Sequence, residues 1–189
     1  MFEIKANTLQ FSRNGETVVI YAQGQDALRV RATMNCAFDD RDWALEGAPV
    51  GEAEIRLEGD GAVITNGAIS ARVDRLGKIR FYKSGVQILE EYYRCYEYDM
   101  PHTPSLRIVA REYKPIRGGD YECTLRFEAQ KEKLYGMGQY QQDCLDLKGC
   151  TLELAQRNSQ ASVPFLLSSL GYGFLFNQPA VGRATFAKN

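Results

Sequence analysis

The sequence predicts an all-β fold, an antiparallel β-sandwich, on three observations. Apolar and polar residues alternate with period two along much of the chain, as half-buried strands require. Helical periodicity is almost absent. Turn signals recur about every eight residues, the spacing of a meander.

The elements follow in order. Phe2, Ile4 and Ala6 begin the alternation. Residues 17–22 are a β-branched run with VVIY at its centre. Gly24, Gln25 and Asp26 turn the chain, and residues 27–33 run back as a hairpin partner. In that return strand Leu28, Val30 and Ala32 share one face, and Arg29, Arg31 and Thr33 the other. The pattern lapses over 34–50, where Asp39, Asp40, Arg41 and Asp42 surround Trp43. This reads as a solvated loop anchored by the tryptophan.

Strands resume at 53–57, 62–65 and 68–74. Asn66-Gly67 is a strong hairpin signal, because both residue types tolerate positive φ. Turns at Gly77 and at Ser84-Gly85 lead into strands at 79–82 and 86–91. The stretch EEYYRCYEY (90–98) reads as strand, with tyrosine rings half buried and hydroxyls wet. Two prolines in DMPHTP (99–104) break regular structure, and His102 falls there as a loop residue. Residues 106–113 and 121–129 read as long strands joined through Gly118, Gly119 and Asp120. Cys123 falls on the apolar face of the second. A helical turn is conceivable only near 129–133.

The segment 135–177 is the most densely punctuated. Gly136 and Gly138 flank Met137 where the chain must bend or approach another backbone closely. Residues 143–149 are turn-like, 151–154 a strand, and Gln156, Arg157 and Asn158 a polar loop. Residues 163–167 form an apolar run read as buried. Gly171 and Gly173 make a tight turn, and 183–189 a final strand.

Composition excludes several classes. An apolar fraction of 44% with 25% charged residues is that of a globular protein, and 189 residues suffice for a sizeable core. Net charge is −1 with signs interspersed, so no nucleic-acid partner is expected. No apolar run reaches the roughly 18 residues of a membrane span. MFEIKANTLQ has no basic start and apolar core, so a cytoplasmic location is expected. The five cysteines, Cys36, Cys95, Cys123, Cys144 and Cys150, read as free buried thiols. Cys144 and Cys150 are close in sequence, but the spacing is no CxxC and there is one histidine, so no metal is expected. No cofactor is implied.

Several stretches, in order, carry a resemblance: GQDALRVRAT (24–33), YGMGQ (135–139), LDLKG (145–149), QRN (156–158) and VPFLLSSLGYGFLFN (163–177). Together they resemble the N-terminal β-sandwich of glycoside hydrolase family 31, the retaining α-glucosidases and α-xylosidases. The resemblance implies a galactose-mutarotase-like supersandwich over residues 1–189 as a single domain, followed by a (β/α)8 barrel holding both catalytic carboxylates. Retention needs those carboxylates about 5 Å apart. The family's Trp-x-Asp-Met nucleophile motif is matched at Asp99-Met100 only in its last two residues, ahead of the closing strands, so no catalytic residue is assigned.

The resemblance further implies an accessory role, inactive alone. The partners are the enzyme's own barrel and an α-linked oligosaccharide or glycoside. The family lends a sandwich loop to the sugar subsites, and the matching position is Asn158, beside Arg157. An amide both donates and accepts, so it can pair with adjacent hydroxyls. The alternative is a stand-alone carbohydrate-binding module, with Tyr92, Tyr93, Tyr96 and Tyr98 as its row of exposed rings. Mutarotase chemistry would need histidine with carboxylate, and purely structural docking would leave an exposed apolar patch.

Overall fold

The computed structural model describes residues 1–38, 45, 51–99 and 105–186. The chain divides into two compact units. The first comprises the described parts of Met1–Asp40 and Gly47–Glu128. The second comprises those of Arg41–Glu46 and Ala129–Asn189.

Unit 1 contains two antiparallel meanders. β1 (Phe2–Lys5), β2 (Thr8–Arg13), β3 (Glu16–Ala22) and β4 (Leu28–Met34) form one sheet in chain order. β5 (Glu54–Glu58), β6 (Gly61–Asn66), β7 (Ile69–Val73), β8 (Ile79–Lys83) and β9 (Val86–Glu90) form the other. Direct pairing puts Leu9 opposite Ile20 and Phe11 opposite Val18, so all four share a face. Ala62, Val73 and Ile79 line up likewise across β6, β7 and β8. The two faces close on each other in one core, every member of which is at most 2% exposed. Burial of each large aliphatic side chain there contributes about 1.5–3 kcal/mol. This is the expected sandwich.

The turns of the two sheets clamp each other. Asn66 does not take positive φ; only Gly67 does, at 58°. The Asn66 amide instead donates to the carbonyls of Gly24 and Ala27, at 2.8 and 2.7 Å. In return the Asp26 carboxylate accepts from Ala68 N at 2.6 Å. A Cβ on Gly67 would stand 2.1 Å from that carboxylate oxygen, so glycine is required both for φ and for space.

Sequence expectation and structure part at several places in this unit. β2 was not foreseen, although Asn14 and Gly15 take positive φ between β2 and β3. Residues 96–99 leave the sheet as a single helical turn, α1 (Tyr96–Asp99). β10 (Arg111–Pro115) and β11 (Tyr121–Leu125) are shorter than read, because 106–110 is held by one bridge, Arg94 to Ile108, and by a hydrogen bond from Arg126 N to the Ala110 carbonyl rather than by a continuous ladder. β10 and β11 form a two-stranded ribbon, and Cys123 on it is exposed rather than buried. Of the five cysteines only Cys95 is buried; Cys36, Cys123 and Cys144 are exposed and Cys150 is intermediate. The Asp39–Asp42 cluster with Trp43, and His102, lie outside the described residues.

Unit 2 holds β12 (Leu134–Gln139), β13 (Thr151–Leu154), β14 (Ala161–Ser168), β15 (Tyr172–Leu175) and β16 (Gly182–Thr185). They form a three-stranded sheet, β12-β14-β15, and the pair β13-β16. Leu134, Met137, Leu147, Leu152 and Phe186 make its core. The predicted bend at 136–138 is a register shift of β12 against β14. Gly136, Met137 and Gly138 all take positive φ, and a Cβ on Gly138 would meet the Ala161 carbonyl oxygen at 2.1 Å. No helix forms at 129–133.

The run 163–167 is not buried throughout. It alternates along β14, leaving Val163, Phe165 and Leu167 at 51%, 39% and 47% exposure. A run of consecutive apolar residues does not reveal whether a second layer covers both faces. Among the described residues one face is left exposed.

Candidate functional site

The loop singled out by sequence follows β13. Gln156 spans its base: its amide donates to the Ser162 carbonyl at 2.8 Å and accepts from Ser162 N at 3.1 Å. Tyr140 braces the same point, its hydroxyl oxygen standing 2.7 Å from Ser162 Oγ and 2.9 Å from the Glu153 carbonyl, with one proton between the two contacts. Above this base Gln160 N donates to the Arg157 carbonyl at 3.2 Å, and Ser159 takes positive φ, 66°. Asn158 is therefore at the tip of a closed, braced turn, with its amide exposed. Among the described residues no side-chain hydrogen bond ties Asn158.

Arg157 points elsewhere. Its guanidinium donates to both carboxylate oxygens of Glu153, at 3.1 and 2.9 Å. That hydrogen bond and the attached charge hold Glu153 below the usual carboxylate range and Arg157 above its own. Both side chains are more than half exposed, so the pair adds little stability. It does orient the guanidinium along β13. The three residues thus divide the work: Gln156 closes the loop, Arg157 stiffens its approach, and Asn158 is presented.

The tyrosine stretch does not make a row of exposed rings. Tyr98 donates to both oxygens of Asp74, at 2.8 and 2.9 Å, and its ring lies 5.3 Å from that of Tyr93. Burial pushes both hydroxyls up in pKa. Only Tyr96 of the four is exposed, at 55%. Tyr96 and Tyr98 fall in the helical turn and Tyr92 and Tyr93 before it, so the four rings do not form one exposed row.

Sequence reasoning missed a buried charge cluster in unit 1. Arg111 donates to Glu16 at 2.6 and 3.3 Å, to Glu91, and to the Gly77 carbonyl at 2.9 Å. Glu91 also accepts from Ile79 N at 2.8 Å, and Tyr113 donates to Glu16 at 3.1 Å. Burial pushes the Glu91 carboxyl up, against the pull of Arg111. Burial opposes the Arg111 charge, yet Glu91 and Glu16 outweigh it and raise that guanidinium. Arg111 borders an open cleft of about 260 Å³ with Arg13, Tyr93, Glu97 and Arg107. Both glutamates are committed to Arg111, so they are structural and not a free acid–base pair. No local pattern could reveal the cluster, since its members are 95 and 20 residues apart.

Among the described residues no group of three histidine, cysteine, aspartate or glutamate side chains could hold a metal. No described helix is long and apolar enough to cross a membrane.

No family model matches the chain. A family 31 glucosidase of Pseudescherichia vulneris is 46% identical over 195 residues, covering 97% of this chain and 37% of that protein. The crystal structure of a family 31 α-xylosidase from a soil metagenome, complexed with xylose, superposes with a TM-score of 0.94. It is 44% identical and covers the whole of this chain, but only 29% of its own. The chain belongs to glycoside hydrolase family 31, as a β-sandwich domain. Alpha-xylosidase A of Aspergillus niger is similar at 25% identity, over 98% of the chain and 27% of that enzyme. This family 31 domain thus spans little more than a third of the curated relative at 46% identity.

Proposed function

We propose that this chain is the N-terminal accessory domain of a retaining α-glycosidase, inactive alone. It packs on that enzyme's (β/α)8 barrel and lends the Asn158 turn to the sugar subsites. The reading is carried by one observation: the whole chain aligns at 44% identity with 29% of an α-xylosidase chain. The outer face of the β12-β14-β15 sheet supports it. Phe165 pairs with Leu175 and Leu167 with Tyr135, so these side chains share that face with Val163. Phe165 lies over Gly173, where a Cβ would come within 2.7 Å of the ring. A contiguous apolar face of this kind suits a protein neighbour better than water.

The substrate class that follows is an α-linked xyloside or glucoside. The test separates domain from enzyme. The chain alone is assayed on aryl α-xylosides and α-glucosides beside the full-length protein. Turnover only by the latter is expected. In the full-length protein Phe165→Asp is expected to loosen the sandwich from the barrel, read as a second thermal transition and earlier proteolytic release. Hydrolysis by the chain alone would refute the accessory role, and an unaltered Phe165→Asp protein would refute the docking face.

A further inference from the structure

We propose that Cys144 and Cys150 are a reversible oxidation site, at which a hydroperoxide closes the 143–150 loop with a disulfide. Their sulfurs stand 3.2 Å apart, both as thiols. A disulfide needs about 2.05 Å between sulfurs, so closure asks for a movement of roughly 1 Å, within reach of side-chain rotation.

The backbone around the pair holds one sulfur and frees the other. Cys150 N donates to the Leu147 carbonyl at 2.9 Å, and Phe186 N donates to the Cys150 carbonyl at 3.0 Å. Gly149 N reaches the Phe186 carbonyl at 2.7 Å. Leu147 is 4% exposed in the unit 2 core, and its N donates to the Leu134 carbonyl at 2.8 Å. The Asp146 carboxylate accepts from Leu134 N and Lys148 N, at 3.1 and 3.2 Å. Cys150 is thereby fixed on a braced turn at the start of β13. Cys144 is on the exposed arm, beside Leu145 at 80% exposure. An accessible thiol next to a positioned one is the arrangement of an attacking and a resolving cysteine.

The chemistry balances with hydrogen peroxide as oxidant. The Cys144 thiolate attacks one peroxide oxygen, the O–O bond breaks, and the departing hydroxide takes a proton to become water. This leaves a sulfenic acid on Cys144. The Cys150 sulfur attacks the Cys144 sulfur, the S–O bond breaks, and the hydroxyl leaves as a second water with the Cys150 proton. Two thiols lose two electrons in all and the peroxide gains them. Cys36 and Cys123 are also exposed but lie in unit 1, on β4's exit and on β11, and serve as internal controls.

The experiment is peptide mapping of the folded full-length protein after hydrogen peroxide, with remaining thiols alkylated before denaturation. The expected result is a linked pair of peptides carrying Cys144 and Cys150, lighter by two hydrogens and restored to two free thiols by dithiothreitol. Cys144→Ser and Cys150→Ser are each expected to abolish the link, while leaving Cys36 and Cys123 labelling unchanged. If Cys144 and Cys150 stay alkylatable under peroxide that oxidises Cys36 or Cys123, the proposal fails. It fails equally if the link forms only in denatured protein or joins a different pair.

Discussion

Unit 1 and unit 2 are built from the same material, antiparallel hairpins, yet they are finished to different degrees. The unit 1 core is sealed between sheets of four and five strands, and none of its core residues exceeds 2% exposure. The unit 2 core sits between three strands and two, and its members are 3–8% exposed. Unit 1 spends its alternation on two inner faces that meet. Among its described residues unit 2 carries apolar side chains on both faces of β14 and covers only one. A sandwich whose sheets face each other hides its apolar faces by itself; a small sheet with a second apolar face leaves that face to water, which is what the docking proposed above would relieve.

Removing one partner from the sealed unit is expected to have the largest effect. Arg111→Ala leaves Glu16 and Glu91 without their counter-charge, with Glu91 only 4% exposed. A loss of about 3–5 kcal/mol is expected, measured by urea denaturation. Ile64→Ala, at a fully buried position, is expected to cost about 3–4 kcal/mol through lost burial and a cavity that two sheets cannot collapse. The looser unit should relax more easily. Leu152→Ala is therefore expected to cost about 2 kcal/mol, at the low end for such substitutions. Equal losses at Ile64 and Leu152 would erase the difference drawn between the two cores.

Acid gives a second test of the unit 2 turn. Hydrogen bonds from Leu134 N and Lys148 N hold the Asp146 carboxyl below its ordinary value. A carboxylate depressed in the folded state contributes stability that is present above its unfolded pKa, about 3.9, and is lost as pH falls through the lower folded value. Amide exchange at Leu134 and Lys148 is expected to accelerate below about pH 4. Asp146→Asn is expected to show fast exchange there at neutral pH, with little pH response. Acceleration at acid pH undiminished in Asp146→Asn would assign the effect to other groups.

How much of this was legible in the sequence depended on range. β3, β4, β6 and β7 were readable because alternation and a glycine turn sit within a few residues of each other. β2 carries the same signals, Leu9 and Phe11 alternating ahead of Asn14-Gly15, but more weakly than the β-branched run at 17–22. The run at 163–167 misled because hydrophobicity reports that a residue resists water, not which layer covers it. Tyr98 misled because its partner, Asp74, is 24 residues back. The Glu16–Arg111–Glu91 cluster was invisible for the same reason. The 156–158 loop was legible as a loop, since polar residues leave a strand there. That Arg157 turns back to Glu153 depends on side-chain geometry no pattern encodes.

The smallest effect on stability is expected at Asn158, where the proposed subsite role is tested most directly. The turn is held by Gln156, Ser162, Tyr140 and the Arg157–Gln160 bridge, none of which involves the Asn158 side chain. Asn158→Ala should therefore shift stability by less than about 0.5 kcal/mol, as exposed substitutions do. If the chain is the accessory domain proposed above, the same change in the full-length enzyme removes an amide able to donate to one sugar hydroxyl and accept from another. Loss of one such buried contact is worth about 1–3 kcal/mol, or roughly a 5- to 150-fold fall in kcat/KM. Asn158→Asp keeps the acceptor and loses the donor, so it should fall between wild type and alanine. Gln156→Ala supplies the contrast, since it opens the loop and should lower both stability and kcat/KM. A full-length Asn158→Ala enzyme with unchanged kcat/KM would leave the turn as a rigid surface feature and return the weight of the accessory role to the apolar face of β14.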